Sequence, residues 1–560
     1  MKLRGRYGAG LVLVGALGWG MHAAIADSPC PWQGEADKEI CARWETINRH
    51  IEEAAQQAEQ AAKSLQSLPA GASAATVEPG SPEARARAII DRFLQYLPPP
   101  TDDMGGFEID RNYAFTAEGN GLITHIAKAA WVRHAFRADF GPLQIRIEPG
   151  DGGLSKVDFR LNDVVTLREG EKTLARVLIG EQQSQGVWDE AAKAFSQSDM
   201  QLGKIELALE GEPVIASLAK ASMKQVLKRD AQDNWRSRQD MAFEGLQIRV
   251  QDYAATLASA TGYAEMDGRE YQKLLSSGEE LNTLLGQENL EEEEAVKQFL
   301  RVVENMYSTF TRLDSEFIAS DLVVGDPAQP LAKAAKITFG GHYAEADGGS
   351  TFGYIMGVSG LATQNPGLPP ELIPTDARME VGLFNITAET VKKFMEVAMA
   401  AEKLPEAEQD AYLDQQLAQL FMNSHLGAYM KDSFVATPAT RLDMNFRATV
   451  DAQSAKGGVG EFKLRIEGLD QAVAATQTMP GQESAAPLLG MLMAFSSRTQ
   501  EGDKVVDTFD VKLGADGKLF LNGKDVTAMF MPPESVDTNQ PPDAQTDSEG
   551  AAPVEQPAKP

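Results

Sequence analysis

The chain has 560 residues, and 43% of them are hydrophobic, which is enough for a buried core in two to four domains or in one elongated architecture. Its 52 basic and 81 acidic residues give a formal net charge of −29, which repels nucleic-acid phosphates and anionic lipid head groups. We therefore expect no nucleic-acid partner.

The first 26 residues have the pattern of an export signal. Three basic residues within the first six precede an uncharged apolar run, and Ala24-Ile25-Ala26 has the small residues that a signal peptidase recognises. We expect residues 1–26 to be removed, so that the mature chain is periplasmic or otherwise exported and begins at Asp27. The alternative is an uncleaved inner-membrane anchor, because residues 7–26 carry no charge. No later apolar run is long enough for a membrane span.

Cys30 and Cys41 are the only cysteines of the sequence. In an oxidising compartment they predict one disulfide, which would contribute about 3 kcal/mol by the chain-entropy estimate for a short loop. Two free thiols in a reducing compartment are the alternative. Together with His50 the two cysteines make an incomplete ligand set, so the sequence predicts no metal site here.

Helical patterns dominate the region before residue 105. Within residues 27–68, apolar residues recur in alternating steps of four and three, which predicts a disulfide-capped helix that packs on its own protein rather than forming a stalk. Residues 69–104 are predicted to contain a linker and a short helix over 83–97. Pro82 lies in the first turn of that helix, and three prolines at 98–100 end it.

From residue 105 the apolar period changes to two, which indicates strands with one dry face and one wet face. The clearest strands are 143–148, 246–251 and 462–467. Hairpin turns are predicted at Asp151-Gly152, Asp267-Gly268, Asp347-Gly348, Asp516-Gly517 and Asn522-Gly523. Helices are predicted over 270–285 and 291–313.

A strand followed by an amphipathic helix recurs in three places. These are 204–207 before 213–223, 379–383 before 389–399, and 462–466 before 470–479. The similarity lies in the pattern rather than in identity, so chance is an alternative explanation.

These elements together predict an α+β fold. Long antiparallel meanders form an extended twisted sheet or a sandwich, amphipathic helices cover it, and a helical segment precedes it. We place a first β-rich half at 105–325 and a second at 326–531, each with helices. Residues 532–560 are acidic and rich in proline, which predicts a disordered tail.

Reactive-residue patterns are weak throughout. Ser217-Leu218-Ala219-Lys220 fits a Ser-x-x-Lys pattern, in which a helix places Lys220 one turn from Ser217 so that the lysine can deprotonate the serine. The companion motifs of that chemistry are absent from the sequence, so Ser217 and Lys220 are weak catalytic candidates. The histidines lack zinc-binding spacing and there is no phosphate loop, so we predict no cofactor and no metal.

The carboxy-terminal strand pair carries a family resemblance. Thr508-Phe509-Asp510-Val511-Lys512-Leu513 leads through Asp516-Gly517-Lys518-Leu519 to Leu521-Asn522-Gly523-Lys524, and Ile466-Glu467-Gly468-Leu469-Asp470 is a strand-to-helix step. These segments resemble the YdgA-like family of exported bacterial proteins of unknown function. The resemblance covers a small part of the chain and brings no catalytic residues with it. It implies an envelope protein with long antiparallel sheets and no known enzyme activity.

Two functions follow as hypotheses. The first is a non-enzymatic periplasmic envelope protein whose dry sheet face leaves a groove for a lipid acyl chain or for a protein partner. The alternative is an envelope-acting serine hydrolase that uses Ser217 and Lys220. The sequence does not specify an oligomeric state.

Overall fold

The computed structural model describes most of the chain between residues 81 and 530. It describes residues 49 and 81–530, except 96, 98–99, 101–104, 112, 210–211, 251–252, 286–291, 327–328, 347, 365–369, 403 and 478–492. The predicted signal, Cys30 and Cys41, all but one residue of the predicted helix at 27–68 and the predicted tail at 532–560 lie outside the described residues.

One antiparallel sheet of 23 strands runs through the described part of the chain. Its strands are β1 (Gly106–Ile109), β2 (Ala114–Glu118), β3 (Gly121–Arg133), β4 (Phe136–Pro149), β5 (Leu154–Arg160), β6 (Val164–Glu169), β7 (Lys172–Asp189), β8 (Ala194–Leu209), β9 (Glu212–Arg229), β10 (Trp235–Val250), β11 (Tyr253–Gly268), β12 (Phe310–Asp326), β13 (Gln329–Ala344), β14 (Ser350–Ser359), β15 (Ala362–Thr363), β16 (Asp376–Ile386), β17 (Gly427–Ala436), β18 (Arg441–Val450), β19 (Gly458–Glu467), β20 (Ser497–Glu501), β21 (Lys504–Leu513), β22 (Leu519–Leu521) and β23 (Lys524–Asp525).

Most strands pair with the next strand along the chain, as in a meander. The short strands share partners: β1 and β2 both pair with β3, β5 and β6 both pair with β4 and β7, and β20 and β22 both pair with β21. Strands β7 to β13 contain 16 to 18 residues each. At a rise of about 3.3 Å per residue such strands are roughly 55 Å long.

Helices occupy the connections at a few points of this meander. They are α1 (Pro82–Gln95), α2 (Tyr271–Leu285), α3 (Glu292–Tyr307), α4 (Ala388–Glu402), α5 (Glu406–Ser424), α6 (Leu469–Gln477) and α7 (Thr527–Phe530). Helix α2 packs against α3, and α4 packs against α5. Both helix pairs lie at the same end of the strands, because β11 and β16 run in the same direction and each pair follows the carboxyl end of one of them.

The first helix shows how the sequence produces its local fold. Ser81 accepts a hydrogen bond from the Ala84 backbone amide at 3.1 Å, and proline fits the first turn that follows. The apolar side chains of α1 are spaced to lie on one helical face. That face, formed by Ala86, Ile89, Ile90 and Leu94, is buried against a core that includes Ile126, Ile145, Ile147 and Trp188.

The extended antiparallel sheet with associated helices confirms the main fold prediction; the described strands form one hydrogen-bonded sheet, and the alternative of a sandwich is not confirmed. The helices predicted at 83–97, 270–285, 389–399 and 470–479 match α1, α2, α4 and α6 closely. The prediction at 291–313 was too long, because β12 begins at Phe310. Two predictions were wrong: residues 213–223 belong to β9, and Asp267-Gly268 ends β11 instead of forming a hairpin.

The register separates the sheet into two chemically different faces. On one face, Arg236 lies opposite Asp267, which lies opposite Arg312. This face, here called the charged face, carries cross-strand ion pairs such as Arg236–Asp267 at 2.5 Å and Arg238–Glu265 at 3.0 Å. The other face, here called the apolar face, carries Phe317 opposite Phe339 and Phe339 opposite Met356.

A transverse row of left-handed residues crosses the long strands. Lys204, Gly245 and Asp321, on alternate strands, and Gly360, directly after β14, have φ between 51° and 67° and lie at matching register positions. At this row the apolar residues change from odd-numbered to even-numbered positions or the reverse, which we call a parity change. In β10, for example, they are Met241 and Phe243 before the row and Leu246 and Ile248 after it. Bulge-like residues of this kind interrupt the alternation of strand side chains. The parity change therefore keeps the apolar residues on one face.

Candidate functional site

Helices and connecting segments cover parts of the apolar face. Helix α1 covers the core around Ile126 and Trp188, and α2 packs its residues Tyr271 and Leu274 near Trp235. At the far end, Met493 and Phe495 pack on a cluster that contains Ile466 and Phe509. The middle of the face lies between these covers.

Four large apolar side chains in this middle region remain substantially exposed. Phe339, Phe352, Tyr354 and Leu383 are 42%, 46%, 38% and 39% exposed. Leu383 lies directly opposite Phe352, Tyr354 follows Phe352 by two residues on the same face, and Phe339 is the diagonal neighbour of Tyr354. We call these four residues the aromatic patch. Contiguous exposed apolar residues of this size mark interaction sites more often than isolated ones do.

A pocket of about 470 Å³ adjoins the aromatic patch and shares Leu383 with it. Its floor is a row of small residues, because Ala428, Ala448 and Gly460 lie opposite one another on three neighbouring strands. Larger side chains surround this row. They are Leu383, Phe421 of α5, Leu426, Phe446, Phe462, Val511 and Leu513. We call this cavity the end pocket.

The end pocket is shaped by side-chain size at fixed register positions. One row further along the sheet, Met430, Phe446, Phe462 and Val511 lie opposite one another and are all large. The small row beside it leaves space that no side chain of the described residues fills. The volume lies within the range of about 300–1,000 Å³ that ligand pockets commonly have.

At the far end of the apolar face, a buried carboxylate is paired with a partly exposed arginine. Asp507 is 0% exposed and accepts hydrogen bonds from Ser496 Oγ at 2.6 Å and from Arg498 Nε at 3.2 Å. Arg498 also contacts Asp470 at 2.8 Å. This carboxylate is therefore satisfied within the protein and acts as a structural group.

The charged face carries the other notable polar arrangement. The Tyr429 hydroxyl lies 2.9 Å from His342 Nε2 across two strands, in a row that contains Gly353 and Gly382. Burial, and then the negative charge of Glu380, raise the pKa of Tyr429 above its usual value. A phenol that stays protonated is a poor nucleophile or base. Within the described ranges, no group of three acidic, histidine or cysteine side chains could hold a metal ion.

The structure does not give Ser217 and Lys220 the arrangement that the sequence predicted. Both lie in β9, where Ser217 is opposite Gln247 and Lys220 is opposite Glu244. Three residues along a strand span roughly 10 Å, so Lys220 is not one helical turn from Ser217. The helical basis of this candidate pair is therefore wrong.

Comparison of the chain with models of known protein families, with curated proteins and with solved structures finds no match. None of the helices in the described part of the chain combines the length and the apolar character that crossing a membrane requires.

Proposed function

We propose that this protein is a non-enzymatic, exported envelope protein that binds the acyl chain of a lipid on the uncovered part of its apolar face. The aromatic patch and the end pocket together carry the proposal, since they form one apolar surface through the shared residue Leu383. An acyl chain is the occupant that best matches a surface of aromatic and aliphatic side chains over a floor of small ones. Export to the envelope rests on the signal-like first 26 residues and agrees with the resemblance to the YdgA-like family.

Burying this surface would supply the driving force for binding. Apolar area removed from water contributes about 25 cal/mol per Å², so covering a few hundred Å² is worth several kcal/mol before the cost of association. On the charged face, by contrast, long side chains form ion pairs across the strands, and the pocket of about 360 Å³ there is bordered by the charged residues Lys224, Asp240 and Glu316. Binding should therefore be confined to one face of the sheet.

The first experiment is a search for bound lipid. The full chain is expressed with its own amino terminus, purified from the envelope fraction, and analysed by native mass spectrometry together with an organic extract. We expect an acyl lipid at a stoichiometry near one or more per chain. A chain without lipid that also takes up no labelled fatty acid after delipidation would contradict the proposal, as would a protein partner that occupies the patch.

Two variants locate the site. Ala448→Trp fills the floor of the end pocket and should abolish most of the lipid uptake, whereas Lys512→Trp places the same side chain on the charged face of β21, two strands away, and should leave uptake unchanged. Because tryptophan in the floor risks overpacking by about 1–3 kcal/mol, Leu383→Ser at the exposed end of the site is a second test. Equal uptake by all three variants and the parent chain would place the lipid elsewhere.

A further inference from the structure

Two ionisable residues border the end pocket. Of the residues that line it, Lys456 and Glu461 are the only two with ionisable side chains. Glu461 lies next to Gly460 in β19, so its side chain points to the charged face, where it forms an ion pair with Lys463 at 4.0 Å. Lys456 is therefore the one ionisable lining residue whose side chain the strand alternation does not direct to the charged face.

Contacts with the neighbouring hairpin hold the turn that carries Lys456, while its side chain is exposed. It lies in the turn between β18 and β19, which is held by a hydrogen bond from the Ala455 amide to the Ala515 carbonyl at 2.9 Å. Its stem runs beside Gly517, close enough for a methyl group there to lie 3.2 Å from Lys456 Cγ. The ammonium group makes no ion pair with any residue that the structure describes, although the net charge of the chain is −29.

The neighbouring carboxylates interact with residues of their own turns. Asp516 forms an ion pair with Lys518 at 3.7 Å and accepts a hydrogen bond from the Lys518 amide. Asp451 accepts a hydrogen bond from the Gln453 amide at 2.9 Å. An unpaired cation beside an apolar pocket is complementary to an apolar chain with an anionic end.

We propose that the end pocket binds a fatty acid, with the acyl chain over the row Ala428, Ala448 and Gly460 and the carboxylate at the Lys456 ammonium group. This inference rests on the proposed function and specifies its ligand. One lysine suits the single negative charge of a carboxylate, whereas phosphate groups are usually bound by several donors or by the planar fork of arginine. The acidic surface still repels anionic membranes, but at physiological salt such repulsion is screened beyond about 8 Å, and the lysine acts at contact distance.

The test compares ligands that differ only in the head group. The dye Nile red reports occupancy of the delipidated full-length protein. The competitors are palmitate, the uncharged alcohol with the same acyl chain, and lysophosphatidate with the same acyl chain. We expect palmitate to displace the dye at lower concentration than the alcohol does. Lys456→Gln should weaken palmitate by about 2- to 5-fold, the usual value for one exposed ion pair, and leave the alcohol unchanged. Lys456→Arg should restore palmitate binding.

Lys518→Gln is the matched control, since it removes a lysine from the adjacent turn that does not line the pocket. Equal displacement by palmitate and by the alcohol, with no effect of Lys456→Gln, would overturn the role of Lys456 and leave the proposed function standing. The choice of a carboxylate would be overturned if lysophosphatidate bound more tightly than palmitate and also lost more affinity in Lys456→Gln. No displacement by any competitor would contradict both the inference and the proposed function.

Discussion

Gly353 should not tolerate a side chain, because Tyr429 lies flat over it. Gly353 and Gly382 occupy the two strands between Tyr429 and His342, in one transverse row of the sheet. A methyl group on Gly353 would overlap both the Tyr429 hydroxyl and the His342 ring. In Gly353→Ala the phenol must therefore move and give up its hydrogen bond to His342, which is 2.9 Å long.

The expected cost follows from three contributions. Overpacking costs about 1–3 kcal/mol. Loss of the Tyr429–His342 hydrogen bond costs about 1 kcal/mol. The lower conformational entropy of alanine in the unfolded chain offsets about 0.5–1 kcal/mol. We therefore expect Gly353→Ala to destabilise this part of the sheet by about 2 kcal/mol.

Hydrogen exchange measures this effect locally, which matters because a chain of this length need not unfold in one step. Amides of β13, β14, β16 and β17 should exchange roughly 30-fold faster in Gly353→Ala, since each 1.4 kcal/mol is a factor of about ten. Gly278→Ala is the control: a methyl group there meets no atom within 4 Å, and alanine favours the helix α2. Combining Gly353→Ala with Tyr429→Ala should cost less than the sum of the two. Unchanged exchange in Gly353→Ala would refute the described position of Tyr429.

Three further predictions concern stability. Asp507→Ala removes a fully buried carboxylate that accepts hydrogen bonds from Ser496 and Arg498, and should destabilise the chain by about 2 kcal/mol, the usual contribution of hydrogen bonds to a charged group, measured by urea denaturation; a loss below about 0.5 kcal/mol would contradict this pairing. The hydrogen bond from Lys504 lowers the pKa of Glu467, so the stability that this carboxylate contributes is present at neutral pH and is lost as the pH falls below its ordinary value near 4. In a pH series, Glu467→Gln should lose less stability on acidification than the parent chain, and equal losses would argue against the shift. Ile90→Ala, in the covered part of the apolar face, should cost about 2–5 kcal/mol, whereas Phe339→Ala in the aromatic patch should cost clearly less; similar losses in thermal unfolding would mean that the patch is part of the core.

Local signals in the sequence predicted several elements well. Pro82 and the prolines at 98–100 enclose α1, and period-two alternation identified parts of β4, β10 and β19. Asn522 and Gly523 have φ of 50° and 77°, as expected for the two-residue hairpin that joins β22 and β23.

The errors have physical reasons that only the assembled sheet reveals. In β9 the apolar alternation changes parity at the row of left-handed residues, so Leu218 and Ala221 are three apart and imitate a helical face. Gly268 has the residue type that favours a turn, but glycine is needed there for a different reason. A methyl group at this position would overlap the Trp235 ring. The sequence predicted the candidate site only as a groove on the apolar face of a sheet. Its members Phe352 and Leu383 are far apart in sequence, and their meeting depends on the register between β14 and β16.

The most direct test of the account is to map where a photoreactive fatty acid reacts with the full chain. After irradiation and peptide mass spectrometry, we expect saturable labelling at the end pocket and the aromatic patch, including Leu383, Phe446 and Phe462, that unlabelled palmitate suppresses. Labelling confined to the charged face, or labelling that palmitate does not suppress, would contradict the claim that the apolar face binds an acyl chain.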